Sequence, residues 1–275
     1  MKGLMNLGNT CFMNAGLQMI LHNDDILDII LKSKSQNQFI IIFQKFINMY
    51  KDKLLKSPLN PKFIKDEISK MNKNFVGFRQ NDSDEFLHYF LDYLNKLIGN
   101  NTIDKLFTIK INNRIKCKVM KYLYKRNNYE NSVKLELDVN KHDNMNDIIS
   151  DMQKSILFDK DNIVFCDKCN KKRISSMKTK IESTSKHLIV HLKRFQNIGS
   201  RYVKFTNDID MPYSWNNYNM KGFIYHSGSL SGGHYVYFGK YNNIWYLFND
   251  NSVSQVNKNQ VDSIKNKSYI YYYVI

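Results

Sequence analysis

The hydrophobic period of this chain changes once, near residue 106, and that change limits what it can fold into. Over the first hundred residues, apolar side chains recur at helical spacing. Met13, Leu17, Ile20 and Leu21 share one face of a helix that Thr10 can cap. A second periodic segment covers about 39–55 and stops before Ser57-Pro58. Asn60-Pro61 then reads as a cap with proline in the first turn. Asp82 and Glu85 have capping-box spacing ahead of Phe86, Leu87, Phe90, Leu91, Leu94 and Leu97. Beyond residue 106 the period is two, with Phe107, Ile109 and Ile111, then Val133, Leu135, Leu137 and Val139, alternating with polar residues. A short helix is expected over 145–157, and strands over 187–195, 222–226, 234–241, 244–248 and 269–275. Several of these strands are continuously apolar, which suits cover on both faces. Helices first and strands later predict an α+β protein.

The 275 residues suffice for one large domain or two lobes around a cleft, and at 43% hydrophobic they can fill a core. No apolar run reaches membrane-spanning length. The opening MKGLMNLGNT lacks the apolar block of a signal peptide, so a soluble, intracellular protein is expected. In that setting Cys11, Cys117, Cys166 and Cys169 are read as a nucleophile and metal ligands rather than a disulfide framework. The net charge of +16 would suit a nucleic-acid partner. However, the lysines are dispersed among asparagines without a binding motif, and nucleic acid is not expected to be the main partner.

Cys11 falls in the first turn of a predicted helix, where free backbone N–H groups and the helix dipole favour a thiolate. The loop before it, Asn6-Leu7-Gly8-Asn9-Thr10, can bring amides close to a reacting carbonyl. Taken alone, a buried structural cysteine at a helix start would explain the position better. His234 changes that balance, because it follows Gly232-Gly233 and opens the strand His-Tyr-Val-Tyr-Phe-Gly. A second strand, Trp245-Tyr246-Leu247-Phe248, follows a turn at Asn242-Asn243 and ends in Asn249-Asp250. Paired as a hairpin, these strands let Asn249 or Asp250 reach back to the imidazole, completing a nucleophile, base and orienting group.

These residues carry a resemblance. GLMNLGNTCFMNAGLQ at 3–18 resembles the cysteine box of the ubiquitin-specific proteases, and GGHYVYFGKYNNIWYLFNDNSV at 232–253 resembles their histidine box. RQNDSDEFLHYFLDYL at 79–94, HLIVHLKRF at 187–195, YHSGSLSGGHY at 225–235 and the closing SYIYYYVI follow the family's order. The resemblance covers nearly the whole chain. It implies a papain-like cysteine protease fold in a single catalytic domain, 1–275. A helical thumb would occupy about 1–100, reduced β fingers with parts of the palm about 105–185, and an antiparallel β palm about 186–275.

The resemblance also implies roles. Cys11 would attack the carbonyl of ubiquitin's C-terminal glycine and form a thioester, with His234 taking its proton. Asn249 matches the third position, Asp250 stands beside it as a substitute or oxyanion helper, and Asn6 matches the oxyanion donor. Asp82 and Glu85 match acidic residues that grip the arginine-rich tail of ubiquitin, a role compatible with their capping spacing. Gly232 and Gly233 belong to a loop, 227–233, lying over that tail. Ubiquitin or ubiquitinated proteins are the expected partners of a monomer. A non-catalytic ubiquitin-binding module and a protease for a ubiquitin-like modifier are the alternatives.

The family's zinc ribbon is incomplete here. Cys166 and Cys169 match its second pair and Cys117 its first position, but Met120 stands where the fourth cysteine belongs. Methionine is a poor zinc ligand, and nothing in the spacing requires His142 to replace it. The expectation is a relic ribbon with no metal and no cofactor required.

Overall fold

A computed structural model describes residues 1–119, 125–139, 141–229 and 232–275, and Met120 lies outside them. The first part of the chain is helical: α1 (Cys11–Leu21), α2 (Asp24–Lys32), α3 (Gln38–Lys51), α4 (Lys62–Met71), α5 (Ser83–Ile98) and α6 (Asp104–Phe107). Then follow β1 (Ile109–Cys117), β2 (Lys125–Ser132), β3 (Leu135–Leu137), α7 (Met145–Met152) and β4 (Ser155–Phe158). Two short strands, β5 (Val164–Cys166) and β6 (Lys171–Arg173), precede β7 (Ser175–Ser183). The remainder is β8 (His187–Leu192), β9 (Phe195–Ile198), β10 (Arg201–Lys204), β11 (Ser214–Trp215), β12 (Tyr218–Gly228), β13 (Gly233–Tyr241), β14 (Ile244–Asn249), β15 (Ser252–Val256), α8 (Lys258–Lys265) and β16 (Ile270–Val274). The α+β class expected from the change of period is the one observed.

The main sheet runs β15-β14-β13-β12-β16-β8-β3, with β11 paired to β12. Every pair is antiparallel except β3 with β8, which is parallel and departs from an all-antiparallel palm. A second antiparallel sheet, β2-β1-β7-β4, forms the finger-like insertion. Its outer strand β2 is almost wholly exposed.

Helix α1 joins the two halves. All eleven of its residues are buried, because α5 covers one side and β13 another. Such a helix must be tolerant of neighbours all round, and Gly16 supplies the closest approach: a Cβ there would lie 2.7 Å from the Phe86 ring of α5. Phe12, Phe75, Phe86, Phe90, Phe43 and Phe39 continue the aromatic core through the helical half.

Local expectations were corrected in several places. Thr10 precedes α1 but does not cap it; its hydroxyl accepts from Leu7 N–H at 2.8 Å, back in the loop. Phe107 ends α6 rather than opening a strand. The 145–157 helix stops at Met152, and its last residues pair as β4 with β7. The strand expected over 133–139 is confined to 135–137. The Asp82 carboxylate caps α5 through the N–H groups of Asp84 and Glu85 at 2.7 and 3.2 Å. Glu85 does not complete the box, since its side chain accepts from Asn72 and Asn74 instead.

Candidate active site

The sequence around His234 folds as a hairpin because Asn242 and Asn243 both take the left-handed conformation, with φ of 46° and 64°. Asparagine tolerates that region, and two such residues make the tight turn that suits strand twist. The turn sets the register Tyr241↔Ile244 through Tyr237↔Phe248. One step further, Asn249 falls on the same face as His234. There Nε2–H of His234 donates to Oδ1 of Asn249 at 2.7 Å, which leaves Nδ1 with its lone pair free.

Cys11 is the first residue of α1 and is only 6% exposed. Burial pushes its thiol above the ordinary cysteine value, and the Asp250 carboxylate adds to the rise. The backbone N–H groups of Tyr235, Phe12 and Cys11 itself act the other way. The helix start therefore does favour the thiolate, as its position suggested, but burial outweighs it in the free protein. Helix α1 packs on β13, so the strand that carries His234 lies beside the helix that opens with Cys11. Among the described residues, Cys11 and His234 share no hydrogen bond. Such bonds are commonly loose before substrate arrives.

Asp250 makes no hydrogen bond to the imidazole among the described residues. Its carboxylate accepts from Asn6 Nδ2 at 2.8 Å and from Asn14 Nδ2 at 2.7 Å. Its own backbone is left-handed, with φ of 48°, and its carbonyl accepts from Leu4 N–H at 2.8 Å. Asn6 is thereby fixed beside Cys11, and its Oδ1 accepts from Gly8 and Thr10 N–H. The amide of Asn6 carries a second N–H that has no partner among the described residues.

Asp82 and Glu85 lie at the start of α5, on the same side as the Gly232-Gly233 segment. Gly233 N–H donates to Oε1 of Gln80 at 2.8 Å. The second oxygen of Asp82 accepts from the hydroxyls of Tyr235 and Tyr269 at 3.0 and 2.9 Å. Gly233 is required sterically, because a Cβ there would lie 2.2 Å from both His226 Nε2 and the Ser227 carbonyl. Gly232 has no such constraint, its nearest neighbour being 3.5 Å away. Buried Asn14, Tyr235 and Tyr269 and exposed Gln80 belong to this site and were missed in the sequence. Asn14 could have been suspected as a polar residue on the core face of a helix.

The three remaining cysteines also meet. The sulfurs of Cys117, Cys166 and Cys169 all lie within 4.8 Å of one another, and those of Cys117 and Cys169 are 3.9 Å apart. Zinc–sulfur bonds of about 2.3 Å give a tetrahedral edge of roughly 3.8 Å, so the thiols fit three corners of a structural zinc site. His142 does not join them: its Nε2 lies 3.4 Å from Asp151.

The family model described as "Ubiquitin carboxyl-terminal hydrolase" matches residues 2–273. The chain belongs to that family. The ubiquitin carboxyl-terminal hydrolase 20 of Arabidopsis thaliana is 26% identical to it over 304 residues. That alignment takes in 98% of this hydrolase-family chain and 43% of the relative. The ubiquitin carboxyl-terminal hydrolase 2 of Bos taurus is 26% identical over 335 residues, or 99% of this chain and 55% of the relative. The chain thus spans about half the length of these curated relatives. A solved structure, the SAGA Ubp8/Sgf11/Sus1/Sgf73 DUB module bound to ubiquitin aldehyde, matches with a TM-score of 0.86 at 20% identity. It covers 100% of this chain and 69% of that one, a likeness that shows the fold.

Proposed function

We propose that this chain is a deubiquitinating thiol protease that hydrolyses the bond after the C-terminal glycine of ubiquitin. The observation that carries the reading is the meeting of the two sequence boxes: α1, which opens with Cys11, packs on β13, which carries His234 oriented by Asn249. In the proposed reaction His234 Nδ1 takes the Cys11 proton, and the sulfur adds to the glycine carbonyl carbon. As the C–N bond breaks, the imidazolium returns that proton to the leaving amine. Water, deprotonated by the same nitrogen, then cleaves the thioester to free the ubiquitin carboxylate and the thiol. The spare N–H of Asn6 is placed to donate to the oxyanion, with Asp250 holding the amide in position. Glu85 and the charge of Asp82 supply an acidic approach for an arginine-rich tail, although Asp82 already accepts four hydrogen bonds.

No metal enters this chemistry. Zinc held by Cys117, Cys166 and Cys169 would tie β1 to the β5–β6 hairpin and act on the fold of the fingers alone.

One observation favours a binding module instead: the Cys11 thiol is buried, which pushes its titration upward, and it has no hydrogen bond to His234 among the described residues. A ubiquitin fused through its last glycine to a fluorescent amine separates the readings. Release of fluorophore that is lost in Cys11→Ala supports the protease. Binding without release supports the module, and release only from a ubiquitin-like modifier carrying the same diglycine end would reassign the substrate.

A further inference from the structure

The start of β13 is held unevenly. On one side it pairs with β12, as His234↔Ser227 and Gly233↔Gly228. On the other side, pairing with β14 begins only at Tyr237. Residues 233–235 therefore have one neighbouring strand, yet they carry the imidazole and belong to the strand that packs on α1, the helix opened by Cys11. The missing support comes from the segment leading into α5. Gln80 accepts from Gly233 N–H at 2.8 Å, and Asp82 accepts from the Tyr235 hydroxyl at 3.0 Å.

Successive side chains of a strand point to opposite faces, so the Tyr235 ring leaves the face on which His234 lies. It is 7% exposed and packs against His226, with ring centroids 4.4 Å apart. Burial, and then the Asp82 charge, push its phenol far above the ordinary tyrosine range, so it remains a donor. Asp82 in turn cannot drift, because its other oxygen caps α5.

We propose that Tyr235 is a positioning residue: its hydroxyl, anchored on Asp82, fixes the start of β13 and so sets where that strand and its His234 ring stand relative to Cys11. Tyr269 is the natural control. It donates to the same Asp82 oxygen at 2.9 Å but lies just before β16, across β12 from the thiol. The catalytic consequence rests on the protease reading above; the effect on the thiol does not.

The test is the pH profile of Cys11 alkylation by iodoacetamide, read from its own peptide by mass spectrometry, in wild type, Tyr235→Phe and Tyr269→Phe. The charged group facing the sulfur is Asp250, with His234 adjacent on β13, and both variants leave these unchanged. Each variant removes one hydrogen bond to Asp82, and both are expected to lower Tm slightly. Only Tyr235→Phe is expected to move the alkylation midpoint upward and to slow the reaction at neutral pH about fivefold, because the stabilising N–H is displaced. On a ubiquitin amide substrate it is expected to lower kcat about tenfold or more with KM within about twofold, the pattern of lost alignment. A Tyr235→Phe profile that coincides with wild type, or a Tyr269→Phe shift of equal size, would overturn the proposal. Failure of wild type to cleave the substrate would sink the protease reading while the alkylation comparison still decides this one.

Discussion

The imidazole of His234 and the side chain of Asn249 are joined by a 2.7 Å hydrogen bond, while Asp250, the next residue, turns to Asn6 and Asn14. Two neighbours that looked interchangeable in the sequence thus hold different partners. Asn249→Ala is expected to lower kcat about a hundredfold with little change in KM, and Asn249→Asp, which keeps an acceptor, to restore most of it. Asp250→Asn should act differently. Removing its charge lowers the pH midpoint of Cys11 alkylation, because that carboxylate opposes the thiolate. Steady-state kinetics beside alkylation profiles check both, and an identical response of the two variants would contradict the assignment.

The two glycines before His234 are predicted to differ. Gly233→Ala drives a methyl group into His226 and the Ser227 carbonyl, an overpacking that costs roughly 1–3 kcal/mol and displaces the loop. Gly232→Ala meets nothing closer than ordinary contact and should leave Tm unchanged. Thermal melts of the two variants decide this.

A pH dependence follows from His22. Its ring lies edge-on to Phe248 at 4.7 Å, and burial pushes its pKa down to about 4 from 6.5. The folded state therefore prefers the neutral ring, while the unfolded chain takes up a proton below 6.5. Stability from this group is fully present above pH 6.5 and is lost as pH falls from there toward 4. His226, also pushed down to about 4 by burial and by nearby Lys204 and His234, adds to the same slope. Melting temperatures across this window should fall in wild type and fall less steeply in His22→Gln.

Much of this was legible because it depends on local chemistry. The asparagine pair at 242–243 dictates its turn, the turn dictates a register, and the register puts Asn249 beside His234. The period change announced the α+β class for a similar reason. Helix α2 also carries a local signal: Asn23 caps it at Ile26 N–H, and Asp24 and Asp25 fill its first turn. Helix α8, with a complete box between Asn257 and Gln260, carried the same kind of signal. What could not be read were contacts between distant elements: Asp82 with Tyr235 and Tyr269, Asp250 with Asn6 and Asn14, and the burial that pushes the Cys11 thiol upward. Those depend on how α1 and α5 dock on the sheet, which no local pattern encodes.

Arg194 shows how far such docking reaches. It is 2% exposed, and its guanidinium donates to the carbonyls of Ser268, Phe205, Asn207 and Asn266. No ammonium can reproduce that planar fork. Arg194→Lys is expected to destabilise the fold by roughly 2–4 kcal/mol, since carbonyls are left without donors. Chemical denaturation would measure it, and a loss under about 1 kcal/mol would show that water replaces the fork.

The central claim is that Cys11, activated from β13, reacts with the C-terminus of ubiquitin. Its most direct test is the intact mass of the protein after incubation with ubiquitin bearing a thiol-reactive C-terminus. The account predicts an adduct of one ubiquitin on wild type, none on Cys11→Ala, and slow formation on His234→Ala. A folded wild type that forms no adduct, or an adduct that persists in Cys11→Ala, would contradict it.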